Sequence, residues 1–171
     1  MSVPLSQLTV PVFVGGLTIL STLLAKGAEH AAQAGINPQD LLGARLAADM
    51  LPLSAQVQRA SDTSKFAVQR IGGAAAPGFP DDETTFEQLQ ARIAKTIAYV
   101  QSVDASLLDA GGETEVQLKW GIASGAFTGT SYLLTIALPN FYFHIVTAYD
   151  ILRNQGVPIG KLDYLGPFGE L

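Results

Sequence analysis

The sequence of 171 residues predicts an all-α protein, a four-helix bundle built as one domain over residues 1–171. Four segments carry apolar residues at helical spacing, and no internal repeat or change of composition divides the chain. The apolar fraction is 48% and the charged fraction only 15%, which indicates a well-filled core. Amphipathic helices in one compact chain bury their apolar faces against one another, so a bundle is the expected architecture.

The first helix is predicted over about Leu5 to Ala34, and Gly35 is its expected end. Part of it, residues 8–25, is apolar enough to suggest a signal peptide or a membrane span. A signal peptide needs a basic start, and no lysine or arginine precedes Lys26. Pro11 and several threonines also interrupt the run, so we expect a buried bundle helix and no membrane role.

The second helix is predicted to begin with Asn37 as its N-cap and Pro38 in its first turn. Apolar residues at steps of three or four carry the pattern on to Ile71, with Pro52 expected to kink the helix. A loop should follow through the glycines and prolines that end at Pro80.

The third helix is predicted to start with a capping box, with Thr84 as the N-cap and Glu87 three residues on. A stripe of apolar residues supports it, comprising Phe86, Leu89, Ile93, Ile97 and Val100. The acidic run at residues 81–83 precedes this helix, where negative charge is favourable, so it is expected to be solvated.

A short strand or hairpin arm is compatible with residues 115–120, in which polar and apolar side chains alternate. The fourth helix is predicted from about Ser131 to Gln155, with Pro139 inside it. Gly156 has the position of a helix-ending glycine, and Pro158 follows shortly after.

Charge and cysteine content exclude several classes of function. The net charge is −5 and the ten basic residues are scattered, whereas nucleic-acid binding needs a basic stripe. We therefore expect no nucleic-acid partner. The chain has no cysteine, which excludes disulfides and thiolate metal sites and fits a cytoplasmic location.

Polar residues on predicted apolar faces are the candidates for a site. His144 lies among apolar residues of the fourth helix, with Asn140 one turn before it. Asp49 and Gln56 lie on the predicted face of the second helix, and Tyr149 is a further candidate for lining a pocket. A buried carboxylate needs a partner, so Asp49 could pair with His144 as a structural hydrogen bond. The alternatives are a metal or ligand site and different pairings altogether.

The chain resembles a domain-of-unknown-function family within the DinB-like (YfiT-like) superfamily. Four segments carry the resemblance, namely Ala44–Met50, Leu138–His144, Ala148–Arg153 and Gly160–Gly166. The resemblance implies an up-down four-helix bundle that is often a homodimer. In metal-binding members it also implies a divalent metal held by three histidines, one from the second helix and two from the last helix at i and i+4.

This sequence departs from that ligand pattern at two of the three positions. His144 matches the second histidine of the pair, but Asn140 stands at the position of the first. The second helix offers no histidine, and Asp49 or Gln56 is the nearest candidate. A set of Asp49, Asn140 and His144 would suit manganese or magnesium better than zinc. The alternative is a site from which the metal has been lost.

Two functional hypotheses remain open at this point. In the first, the chain is a dimeric non-catalytic or small-ligand-binding protein. In the second, it is a metal-dependent hydrolase or thiol transferase in which the metal activates water or a thiol, and His144 is a ligand or general base. The missing histidines favour the first hypothesis, and the sequence does not name the ligand.

Overall fold

The computed structural model describes residues 3–120 and 123–166. Its helices are α1 (Leu5–Ala34), α2 (Pro38–Gly43), α3 (Leu53–Gly72), α4 (Phe86–Ser102), α5 (Ala105–Ala110), α6 (Gly129–Tyr132), α7 (Leu138–Asn154) and α8 (Lys161–Leu165). A 3-10 turn covers Gly111–Glu113, a π-helical turn covers Leu133–Ala137, and the strands are β1 (Glu115–Trp120) and β2 (Ala123–Thr128).

Four long helices form the bundle, which confirms the predicted all-α four-helix architecture. Helix α3 packs against α4 and α7, and α1 packs against the same two helices on the opposite side. The long segment 73–85 runs back along the bundle, so that α4 runs parallel to α3. The directions of α1, α3, α4 and α7 are therefore up, down, down and up. The core between them is made of leucines, alanines, valines and two fully buried phenylalanines, Phe13 and Phe141.

Helix α1 has the predicted bounds. Gly35 ends it in the left-handed region at φ +66°, where glycine carries no steric penalty. The helix is long and apolar enough to cross a membrane by length and composition alone. Its residues Phe13, Leu17 and Leu20 are fully buried in the bundle core, as expected of a core helix. The absence of a membrane role stays a prediction.

The predicted second helix is two separate helices. Helix α2 ends at Gly43, and Pro52 has extended backbone angles as the N-cap residue of α3. The pyrrolidine ring removes a helical hydrogen bond and keeps the preceding residue out of the helical region, so Pro52 starts a helix instead of kinking one. Asp49 consequently lies in an exposed turn, and its predicted position on the apolar face of a helix is wrong.

Helix α4 begins one residue later than predicted. The Thr85 hydroxyl accepts a hydrogen bond from the Gln88 backbone N–H at 3.2 Å. The Gln88 side-chain oxygen in turn accepts from the Thr85 backbone N–H at 3.1 Å. The capping box is therefore Thr85 with Gln88, and the prediction of Thr84 with Glu87 is wrong by one position.

The predicted hairpin arm is confirmed. Strand β1 pairs with β2 in antiparallel register, with Glu115 opposite Thr128 and Lys119 opposite Ser124. The hairpin immediately precedes the last helix of the bundle and brings the side of β1 against it.

The last helix is continuous from Gly129 to Asn154 and contains a π-helical turn before Pro139. The Leu138 N–H donates to the carbonyl oxygen of Leu133, five residues back. Pro139 has no N–H to donate, and the wider turn accommodates its ring within the helix. Gly156, at φ +86°, ends the helix as predicted. The Val157 N–H donates to the Leu152 carbonyl at 3.0 Å, the hydrogen bond of a Schellman motif.

Candidate functional site

Three side-chain hydrogen bonds join α3 to the last helix. They lie along one side of the bundle in antiparallel order, seven residues apart on α3. The pairs are Gln56 with His144 at 2.7 Å, Thr63 with Asn140 at 2.7 Å, and Arg70 with Tyr132 at 2.8 Å. Residues at this spacing share one face of a helix, so α3 presents a continuous polar row to the last helix.

The pair formed by Gln56 and His144 determines the tautomer of the imidazole. The Gln56 side-chain nitrogen donates to the carbonyl oxygen of Leu51 at 3.0 Å. A carbonyl oxygen only accepts, so the Gln56 oxygen must be the atom that faces Nδ1 of His144. Nδ1 therefore carries the proton and donates it, and Nε2 keeps its lone pair.

His144 is held in its neutral form. The residue is only 7% exposed. Burial and, to a smaller extent, the positive charge of Arg59 together lower the pKa of His144 from 6.5 to about 4. At neutral pH the side chain therefore presents an uncharged hydrogen-bond acceptor.

Acid should destabilise the native protein through His144. In the unfolded chain the imidazole binds a proton near pH 6.5, whereas in the folded chain it does so only near pH 4. The stability associated with the neutral ring is thus present above pH 6.5 and is lost as the pH falls towards 4. We expect the wild type to lose about 3 kcal/mol more than His144→Gln over this range. Urea unfolding of both proteins at several pH values measures the difference, and identical pH profiles would contradict the assignment.

A cavity of about 300 Å³ lies between α3, the last helix and β1. Polar groups of Thr63, Asn140 and His144 line one part of it, and the apolar side chains of Phe66 and Ile136 line another. A concave site with an apolar wall and a few convergent polar groups is typical of small-molecule binding.

The structure brings together three of the predicted site residues and separates the other two. Gln56, Asn140 and His144 meet along the interface of α3 and α7, and the latter two line the cavity. The hypothesis that Asp49 pairs with His144 is wrong, since Gln56 occupies that position. Tyr149 lies on another side of α7, with its ring centroid 6.2 Å from that of Tyr164.

The side chains around His144 do not fit a three-histidine metal centre. Within residues 3–120 and 123–166, no group of three or more histidine, aspartate or glutamate side chains is placed to hold a metal ion. Gln56 directs its oxygen to the imidazole and Asn140 directs its nitrogen to Thr63, so neither amide is arranged as a ligand. The positive charge of Arg59 at the ring also opposes a divalent cation.

A network of buried charges next to the cavity was missed by the sequence analysis. Asp62 on α3 accepts from three cations, Arg59 at 3.1 Å, Lys65 at 3.0 Å and Arg92 at 2.9 Å. The side chains of Lys65 and Arg92 are 2% and 1% exposed. A signal was present in the sequence, because Arg92 lies within the apolar stripe of α4.

The same network holds segment 73–85 on the bundle. Arg92 binds Glu83 at 2.9 Å and Asp81 at 3.0 Å, and Lys65 donates to the Pro77 carbonyl at 3.0 Å. Burial opposes ionisation of Glu83, but hydrogen bonds from Arg92 and Gln58 keep its pKa below the usual value. The prediction that the acidic run 81–83 is solvated is therefore wrong for Glu83, whose side chain is 9% exposed. Asp81 is 44% exposed, as predicted, and also forms an ion pair with Arg92.

Comparison with known proteins identifies the family of the chain and agrees with its helical-bundle fold. The model of a domain of unknown function, DUF1993, matches residues 5–165. A crystal structure of a DinB family member protein from Shewanella denitrificans has a TM-score of 0.88 and 37% sequence identity, covering 98% of this chain and 94% of that one. No curated protein matches the chain. The chain therefore belongs to the DUF1993 family and has a DinB-like fold.

Proposed function

We propose that this protein binds a small molecule in the cavity between α3 and α7, with Nε2 of His144 as a hydrogen-bond acceptor. The observation that carries the proposal is the state of the imidazole. Gln56 binds its Nδ1 proton, burial keeps it neutral, and His144 lines the cavity. A fixed acceptor at a concave site is suited to orienting a ligand that has a hydroxyl or N–H group.

The donor chemistry favours this proposal over a metal-dependent hydrolase or thiol transferase. Asp49, the one carboxylate predicted as a ligand, is exposed in a turn away from the helix. Asp62 lines the cavity, but its oxygens are already bound by Arg59, Lys65 and Arg92. One divalent metal per chain in the purified protein, lost in His144→Ala, would instead support the metal-dependent alternative.

We also propose that the protein is a homodimer, as the sequence analysis predicted. Large apolar side chains on the outer side of α7 support this, since Tyr142 is 41% exposed and Val146, one turn on, is 38% exposed. Apolar surface of this kind is typical of an interface. Sedimentation equilibrium measures the mass directly.

Filling the cavity should weaken ligand binding strongly. Ile136 lines the cavity, whereas Leu134 lies on the same helix, is 47% exposed and does not line it. In a fragment screen followed by NMR, we expect ligands that shift the His144 ring resonances in the wild type and in Leu134→Trp. Ile136→Trp should bind them at least about tenfold more weakly, a loss of about 1.4 kcal/mol. Equal binding by Ile136→Trp, or no fragment that perturbs His144, would overturn the proposal.

A further inference from the structure

We propose that the ligand is an organic carboxylate whose acid group binds at the Arg70 end of the cavity and whose hydroxyl group donates to His144. This inference rests on the proposed function and adds the chemical class of the ligand. It follows from the placement of two cations, Arg70 on α3 and Lys119 on β1, which both line the cavity.

Arg70 and Lys119 differ from the cations of the neighbouring network. Within residues 3–120 and 123–166, neither forms an ion pair with a carboxylate. The carboxylate of Asp62 also lines the cavity, but three cations surround it and offset its charge. The positive charge of Arg70 and Lys119 is therefore available to an anion.

Arg70 is oriented by aromatic side chains. Its Nη1 donates to the Tyr132 hydroxyl at 2.8 Å, and its guanidinium carbon lies 5.5 Å from the ring centroid of Phe66. The Tyr132 oxygen accepts this hydrogen bond, so its own proton is left for a ligand. Arg70 and Tyr132 thus offer adjacent donors, an arrangement that suits the two oxygens of a carboxylate.

The distance between the Arg70 end and the His144 end of the cavity determines how long the ligand must be. His144 and Tyr132, which pairs with Arg70, are twelve residues apart on the last helix, or about 18 Å at the rise of an α-helix. A hydrogen bond of about 3 Å at each end leaves about 12 Å for the ligand itself. Phe66 and Ile136 line the stretch between the two ends with apolar surface. An apolar chain with a carboxylate at one end and a hydroxyl at the other matches this sequence of groups. An ammonium in place of the hydroxyl would be repelled by Arg59.

Three probes of equal length separate the parts of the proposal. They are 8-hydroxyoctanoate, which has both groups, octanoate, which lacks the hydroxyl, and 1,8-octanediol, which lacks the acid. Isothermal titration should show 8-hydroxyoctanoate binding about fivefold to tenfold more tightly than either of the others. The advantage over octanoate is that of one neutral hydrogen bond to His144, and the advantage over the diol is that of one charge-assisted contact with Arg70 at a partly exposed site. The advantage over the diol should shrink at high salt.

Arg70→Gln tests the acid end, and Arg153→Gln is the matched control because Arg153 is exposed on α7 and does not line the cavity. We expect Arg70→Gln to remove most of the preference for 8-hydroxyoctanoate over the diol, and cooperative urea unfolding of the variant reports that it is folded. Arg153→Gln should keep the preference.

Three results would overturn the inference. If the diol and the hydroxy acid bind equally, the ligand is not recognised as an anion, although the cavity still binds small molecules. If the preference survives Arg70→Gln, the acid group does not bind at Arg70. If none of the three probes perturbs His144, the assignment of this ligand class fails, and the fragment screen with Ile136→Trp decides separately whether the cavity binds at all.

Discussion

Arg92→Met is expected to lower the free energy of unfolding by about 3–5 kcal/mol, because it removes one partner from a buried ion network. The Arg92 side chain is 1% exposed and contacts Asp62, Asp81 and Glu83. Without its guanidinium, the Glu83 carboxylate keeps Gln58 as its remaining side-chain hydrogen-bond donor within the described chain. Segment 73–85 would also lose a main attachment to the bundle.

Lys95→Met is the matched control for this substitution. Lys95 lies on the same helix, is exposed and forms no ion pair among the residues that the structure describes. The substitution removes the same charge as Arg92→Met but at an exposed site. Its effect on the free energy of unfolding should therefore stay within about 0.5 kcal/mol. Chemical denaturation of the two variants gives the comparison. Equal stabilities of Arg92→Met and Lys95→Met would show that the buried network does not hold the fold.

Gly16→Ala is expected to destabilise the protein by about 1–3 kcal/mol through overpacking of the core. Gly16 lies where α1 meets α7, and a Cβ atom there would lie 2.5 Å from Cε1 of Phe141 and 2.9 Å from Cδ1 of Ile145. The Phe141 ring is fully buried and packs edge-on against Phe13, with 4.9 Å between ring centroids. It has little room to move away.

The adjacent glycine provides a control of opposite sign. A Cβ atom on Gly15 would meet nothing within 4 Å. Gly15→Ala should therefore stabilise α1 by about 0.4–1 kcal/mol, because alanine restricts the unfolded chain and favours the helix. Thermal unfolding of both variants measures the pair. If Gly16→Ala were also stabilising, this would contradict the close packing of α1 against α7 at Gly16.

Local sequence signals predicted the parts of the fold that local chemistry determines. Helix α1 and its end at Gly35, the strand at residues 115–120 and the end of α7 at Gly156 all agree with the structure. Pro52 was misinterpreted because apolar residues continue at helical spacing across it. That spacing does not distinguish a kinked helix from two helices separated by an extended segment.

The candidate site was predictable only where its residues share one helix. His144 and Asn140 stand one turn apart on α7 as predicted. Across the bundle the sequence offered both Asp49 and Gln56 and paired Asp49 with His144, whereas the structure pairs Gln56 with it. The rest of the cavity lining includes Arg70, Lys119 and Tyr132. These side chains meet because the hairpin and α6 pack beside α3, and helical or strand periodicity does not predict how such elements pack.

The periodicity of α4 indicated that Arg92 is buried, but it did not indicate which residues pair with it in the ion network. Its partners come from α3, α4 and the segment between them, so the pairing depends on how that segment returns along the bundle.

The protonation state of His144 tests the central claim most directly. Nitrogen NMR of the labelled ring at neutral pH should show a proton on Nδ1 and a lone pair on Nε2, with no charge on the ring until the pH approaches about 4. Addition of a ligand with a hydroxyl group should shift Nε2 more than Nδ1. A proton on Nε2 at neutral pH, or a ring that is charged at pH 6, would contradict the account.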